Sequence, residues 1–200
     1  MAVAMGTAPE TPDLDIVSRL HEQLDWHWHA AARPRLDGLT DEEYLWEPTP
    51  GAWSLRRAGE SSPGSATLRL GQGDWQADYA SAEPVPPPVT TIAWRLAHVI
   101  VGVLGQRAHS HFGGPPASYG TWAYAGTAQE ALAQLDSAYA AWSAGVRGLT
   151  PQTLLHPVGP AESPWAESPM IDLVLHINRE CIHHLAEVAL LRDLWAHRGG

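Results

Sequence analysis

Lysine is absent from the chain: all 12 basic residues among its 200 are arginine. Without a lysine amine there is no Schiff-base chemistry and no P-loop lysine for phosphates. Cysteine is nearly absent too. With Cys181 alone, no intramolecular disulfide forms and an all-cysteine zinc site is excluded, which fits a reducing cytoplasm. Positive charge is scarce: 22 acidic groups against 12 basic ones leave a formal net charge of -10. A phosphate-tracking surface needs the opposite balance, so nucleic acid is not an expected partner. No apolar run approaches the roughly 18 residues of a membrane span. Residues 1–10 lack the basic start and apolar core of a signal peptide, so a soluble, cytoplasmic protein without a membrane partner is expected. There is no repeat of 20 to 50 residues, no Gly-rich phosphate loop, no nucleophile elbow and no His-Glu-x-x-His motif.

What is present is a core former's composition, 44% hydrophobic and 17% charged. The length suits one domain, expected over residues 11–198 behind a disordered tail at 1–10. Proline and glycine divide it into four helical stretches. The first is predicted to open at Thr11-Pro12, with an apolar stripe of Val17, Leu20, Leu24, Trp28 and Ala31, and to end near Pro34. Residues 39–89 show no sustained helical period and little support for strands. They read as a long crossover, with a short acidic turn at 41–44 and with Trp46, Trp53 and Trp75 as anchors.

The second helix is predicted from Ile92 to about Phe112, capped by Thr90 or Thr91. The third begins with the Thr127/Glu130 capping box, runs along Leu132, Leu135, Tyr139, Trp142 and Val146, and stops at Gly148. The fourth runs from Ser168-Pro169 towards Trp195 or His197. The expected fold is all-α, a four-helix bundle with long crossover loops.

The fourth helix has a seam of Val174, Ile177, Cys181, His184, Val188, Leu191 and Trp195 at three-four spacing, which turns His184 inward. Glu180 lies one turn before it on the same side, and the two can meet at one atom. His176, Arg179 and His183 project outward. A carboxylate beside a core seam needs a partner, and a divalent cation is one. On the second helix His98 sits in the most apolar run of the chain, followed by Gly102 and Gly105, which permit close approach of a facing helix. If that helix is the fourth, His98, Glu180 and His184 form an open three-ligand site. The bland reading stands beside it: two hydrogen-bonded core histidines, and Glu180 paired with Arg95 or Arg179. Cys181, at a seam position, reads as a packed apolar residue and not as a nucleophile.

Several segments resemble the DinB-like superfamily: Asp41 to Pro48, Pro50 to Ser54, Trp94 to His98, His111 to Gly114, and Asn178 to Glu187. That superfamily includes thiol-dependent S-transferases and mycothiol-dependent maleylpyruvate isomerase. The resemblance covers Leu36 to about Trp195 and implies a helical bundle whose members often pair as homodimers. It implies a divalent metal, zinc or nickel, held by one histidine of the second helix and two residues four apart on the last, here His98, Glu180 and His184. Glutamate at the Glu180 position follows the isomerase pattern. The activity implied is activation of a low-molecular-weight thiol of the mycothiol type, for transfer to or isomerisation of a small electrophile. Apart from the resemblance, which maps no substrate-binding residue onto this chain, Arg95 or Arg179 near the mouth is a candidate for positioning an anionic substrate. The alternatives are a metal-dependent hydrolase, a non-catalytic metal-binding or sensing bundle, and a metal-free structural bundle.

Overall fold

The computed structural model describes residues 14–199. The tail at 1–10 and the Thr11-Pro12 helix start lie outside the described residues. Helix α1 spans Ile16–His27, and its N-cap is Asp15, whose carboxylate accepts from the Ser18 amide at 3.1 Å and from its hydroxyl at 2.6 Å. A π-helical turn, Trp28–Ala32, continues it. The wider turn moves the buried position by one residue, so Ala32 is buried where the 3.6-residue period had placed Ala31. Trp28 stacks on Tyr139 with centroids 3.9 Å apart. The acidic turn is helix α2, Asp41–Tyr44, capped by Thr40.

The crossover holds the main departure from the all-α expectation. Strands β1 (Leu55–Arg57), β2 (Leu68–Leu70) and β3 (Trp75–Tyr79) form an antiparallel sheet in the order β1-β3-β2. Ala77 of β3 pairs with Leu55 on one side and Leu70 on the other. These strands are too short for a sustained alternation. The buried residue beside Ala77 is also charged: Asp78 accepts from Arg56 Nε at 2.8 Å and from the Ser54 amide at 3.0 Å. A buried ion pair in place of an apolar side chain erases the period-two signal. The tryptophans anchor this segment as expected. Trp46 lies 5.7 Å from Trp195, Trp53 is buried beside Thr90, and Trp75 packs where Gly126 leaves room for its indole.

Helix α3, Ile92–His98, is capped by the Thr91 hydroxyl and runs through a π-helical segment, Val99–Gly105, into α4, Gln106–Phe112, which ends at Gly113 with φ 68°. Helix α5, Ala128–Arg147, opens on Thr127, whose hydroxyl accepts from the Glu130 amide at 3.2 Å, and stops at Gly148. Helix α6, Met170–His197, buries Val174, Ile177, Cys181, His184 and Val188. Both α3 and the π segment pack against α5 and α6, and α1 also lies against α5 and α6. Leu96, Val99, Leu104, Leu135 and Val174 meet in the fully buried centre, each worth about 1.5–3 kcal/mol relative to exposure. Among the described residues no helix is long and apolar enough to cross a membrane.

Candidate metal centre

His98 is the last residue of α3, and the contact between α3 and α6 sets it beside His184, ring centroids 4.7 Å apart and edge to face. Glu180, one turn before His184 on α6, places Oε2 at 3.3 Å from His184 Nε2. One ligand atom from each of His98, Glu180 and His184 lies within 4.8 Å of the others. Two imidazoles and a carboxylate are the donor types that zinc, nickel and related cations take. Around a tetrahedral ion at about 2.0–2.1 Å, ligand atoms stand roughly 3.3 Å apart, which is the Glu180–His184 spacing.

The hydrogen bonds around the two histidines select which nitrogen is left for a ligand. His184 Nδ1 lies 2.7 Å from Glu187 Oε2 and 3.4 Å from Arg95 Nη1. A guanidinium only donates and a carboxylate accepts, so Nδ1 cannot satisfy both. The shorter bond decides: Nδ1–H donates to Glu187, and Arg95 is held there by its own ion pair, Nε to Glu187 Oε2 at 3.0 Å. A neutral His184 then presents an Nε2 lone pair to the Glu180 oxygen. Acceptor then faces acceptor, an arrangement compatible with a metal cation or a proton between them.

His98 is held from the other side, its Nδ1 2.6 Å from the Tyr119 hydroxyl. That bond accommodates Nδ1–H as donor, the tautomer that frees Nε2. Burial, reinforced by the nearby charges of Arg95 and Arg107, pushes the His98 pKa down to about 3, which keeps it a neutral donor. The Tyr119 phenol is pushed up by burial and stays protonated. The hydroxyl reaches His98 only because residue 102 is glycine, where a Cβ would stand 1.7 Å from the Tyr119 oxygen. Gly102 and Gly105 therefore make room for the 117–119 loop, not for α6 as the spacing had suggested; a Cβ at Gly105 would meet Ala117 at 3.0 Å and the Ile100 carbonyl at 2.6 Å.

A second group, His183, His184 and Glu187, also brings ligand atoms together. The Arg95 guanidinium already occupies that side, and a cation there would face a fixed positive charge. Glu187 is thus better read as the group that orients His184. His183 is exposed, and its Nε2 lies 3.5 Å from Glu187 Oε1. Arg95 is at the centre through Glu187, whereas Arg179 is exposed and bonds His176 Nδ1 at 3.2 Å. Among the described residues no arginine lies within 4.0 Å of Glu180, so neither Arg95 nor Arg179 supplies the ion pair considered for it. Arg107, which donates to the Gly102 carbonyl and to Glu162, adds a second cation near His98. Neither Tyr119 nor Glu187 stood out in the sequence as part of the centre. The Glu-x-x-x-His-x-x-Glu spacing from Glu180 through His184 to Glu187 was the available hint for Glu187, and a loop tyrosine carries none.

Packed helices with an inward His, Glu and His set from two elements define a class, the helical proteins with a candidate divalent-metal centre. The chain belongs to the DinB superfamily, whose family model matches residues 65–188, more than half of the chain and all three candidate ligands. Neither the curated proteins nor the solved structures provide a match.

Proposed function

We propose that the protein is a metal-dependent enzyme, built on the superfamily's four-helix bundle, that activates a low-molecular-weight thiol of the mycothiol type for attack on a small electrophile. The observation that carries the metal part is the acceptor-to-acceptor approach of His184 Nε2 and Glu180 Oε2 at 3.3 Å, with His184 Nδ1 committed to Glu187. A protonated His184 between two glutamates would also satisfy that pair. The metal reading is favoured because His98, a buried neutral imidazole whose Nδ1 is likewise occupied, adjoins the same point, and an imidazolium needs no such third donor. The thiol part rests on the resemblance to the thiol-dependent members.

A divalent cation held there, zinc or nickel, supplies a Lewis acid that lowers the pKa of a thiol, retaining about one positive charge after the Glu180 carboxylate is counted. The chain's own residues do the rest. Glu187 and Tyr119 fix the two imidazoles, and Glu187 neutralises Arg95. In the reaction the thiol proton leaves to solvent and the sulfur lone pair forms the C–S bond. The displaced electron pair departs with a leaving group in transfer. In isomerisation it enters the electrophile's conjugated carbonyl and returns to expel the thiol.

Elemental analysis of untagged protein tests the first half, with about one equivalent of zinc or nickel per chain expected. His184→Ala should abolish it and His183→Ala should leave it nearly intact. Equal loss from both overturns the assignment. Thiol consumption with an electrophile, with and without chelator, tests the second half. Bound metal with only the uncatalysed rate would leave a metal-binding bundle, and hydrolysis without thiol would leave the hydrolase.

A further inference from the structure

Five aromatic rings close a circuit next to the candidate centre. Trp53 to Trp94, Trp94 to His98, His98 to Tyr119, Tyr119 to Tyr79 and Tyr79 to Trp53 follow one another at centroid spacings of 6.0, 5.7, 6.2, 6.2 and 6.3 Å. Three of them, Trp53, Tyr79 and Trp94, line a cleft of about 280 Å³ together with Arg95 and the proline-rich segment 84–88. One of the five, His98, is a candidate ligand, and Arg95 reaches both this cleft and Glu187. The cleft therefore adjoins the centre through shared residues.

We infer that this cleft binds a planar, π-faced carboxylate, an arene or conjugated acid, and serves as the subsite for the electrophile. Aromatic and proline surfaces favour a flat apolar body, and the volume suits a small one of one or two rings. Arg95 sets the sign of the polar end. Its Nη2 makes no hydrogen bond among the described residues, while its Nε and Nη1 face Glu187 and His184. A carboxylate in the cleft can take a donor from Arg95, which lines it. A quaternary ammonium, the other ligand that aromatic rings recognise, has no acceptor to offer that donor. Glu83, the remaining charged residue of the lining, is exposed and solvated. The electrophile role rests on the thiol-activation reading, whereas binding in the cleft does not.

The test is a titration with 2-naphthoate, followed by calorimetry and tryptophan fluorescence, on the full chain both metal-loaded and chelated. Cyclohexanecarboxylate and tetramethylammonium serve as comparators. Saturable naphthoate binding is expected in both forms, with weaker binding of the two comparators. Tyr79 is partly exposed on β3, so its variants should fold, which circular dichroism checks. Tyr79→Phe keeps the ring and should keep the Kd; Tyr79→Leu should raise it roughly tenfold. No saturable binding, equal affinity of Tyr79→Leu and wild type, or preference for either comparator overturns the inference. Metal stoichiometry is read separately. Naphthoate binding without any bound metal sinks the preceding reading alone, and bound metal without naphthoate binding sinks the cleft alone.

Discussion

The Tyr119→Phe substitution removes one oxygen and leaves the ring, which isolates the bond that holds His98. The Tyr119 hydroxyl is 2.6 Å from His98 Nδ1, and the pair is largely out of water. Without it, Nδ1 is a buried polar atom with no partner, a loss of about 1–3 kcal/mol of folding stability. The metal should weaken as well. Outer hydrogen bonds to ligating histidines are worth about 10–100-fold in affinity, or about 1.4–2.7 kcal/mol. Urea unfolding in chelator measures the first quantity, and zinc competition against a chromophoric chelator measures the second. Gly102→Ala should reproduce the affinity loss by another route. Its Cβ would stand 1.7 Å from the phenolic oxygen and 2.6 Å from Cζ, so the ring must leave, even though alanine favours a helix by about 1 kcal/mol over glycine. Zinc affinity within twofold of wild type in both variants would refute the role given to Tyr119. Lost stability with unchanged affinity would reduce it to a packing contact.

Acid should destabilise the metal-free protein. His98 has its folded pKa pushed down to about 3, and burial lowers His21 and His27 below the ordinary 6.5, so the unfolded state binds more protons as pH falls through 6.5. His98 alone should remove about 1.6 kcal/mol between pH 6.5 and 5. Urea unfolding at both values checks this, and His98→Gln should flatten the decline; a flat wild-type profile would refute it. Burial pushes the Cys181 thiol up to about 12, so iodoacetamide at pH 8 should label it only after urea unfolding, and rapid native labelling would contradict the packing. Gly145→Ala places a Cβ 2.0 Å from Phe112, which lies 5.3 Å from Trp142, and should lower stability by about 1–3 kcal/mol of overpacking; an unchanged thermal midpoint would show that Phe112 has room to move.

The sequence was most legible where a pattern repeats over several turns. On α6 the three-four seam separated buried His184 from exposed His183, and on α5 the Thr127/Glu130 box and Gly148 marked both ends. The expected trio of His98, Glu180 and His184 does meet. The sheet was not legible, because two three-residue strands and a five-residue one with Asp78 at a buried position carry no sustained alternation. Nor were the π segments. From Val99 to Gly105 every residue is buried, so an extra residue per turn leaves no exposed position to reveal the shift. Tyr119 and Glu187 were missed for a different reason. They act on His98 and His184, not on a ligand, and such contacts depend on loop placement and rotamer more than on spacing.

The π segment links these observations. It begins right after His98 and contains both Gly102 and Gly105. A wide turn gives up regular i→i−4 bonding, and π-helical turns recur at functional sites for that reason. Here the Gly102 carbonyl accepts from Arg107, and the missing Cβ admits the Tyr119 hydroxyl. Helix distortion, a glycine, a loop tyrosine and a buried neutral imidazole thus depend on one another. An ordinary hydrogen-bonded core histidine would need none of this machinery. On the α6 side the opposite economy holds, since Glu187 serves His184 and Arg95 at once. With Nδ1 committed to Glu187, Nε2 of His184 beside Glu180 Oε2 is the point compatible with a divalent cation.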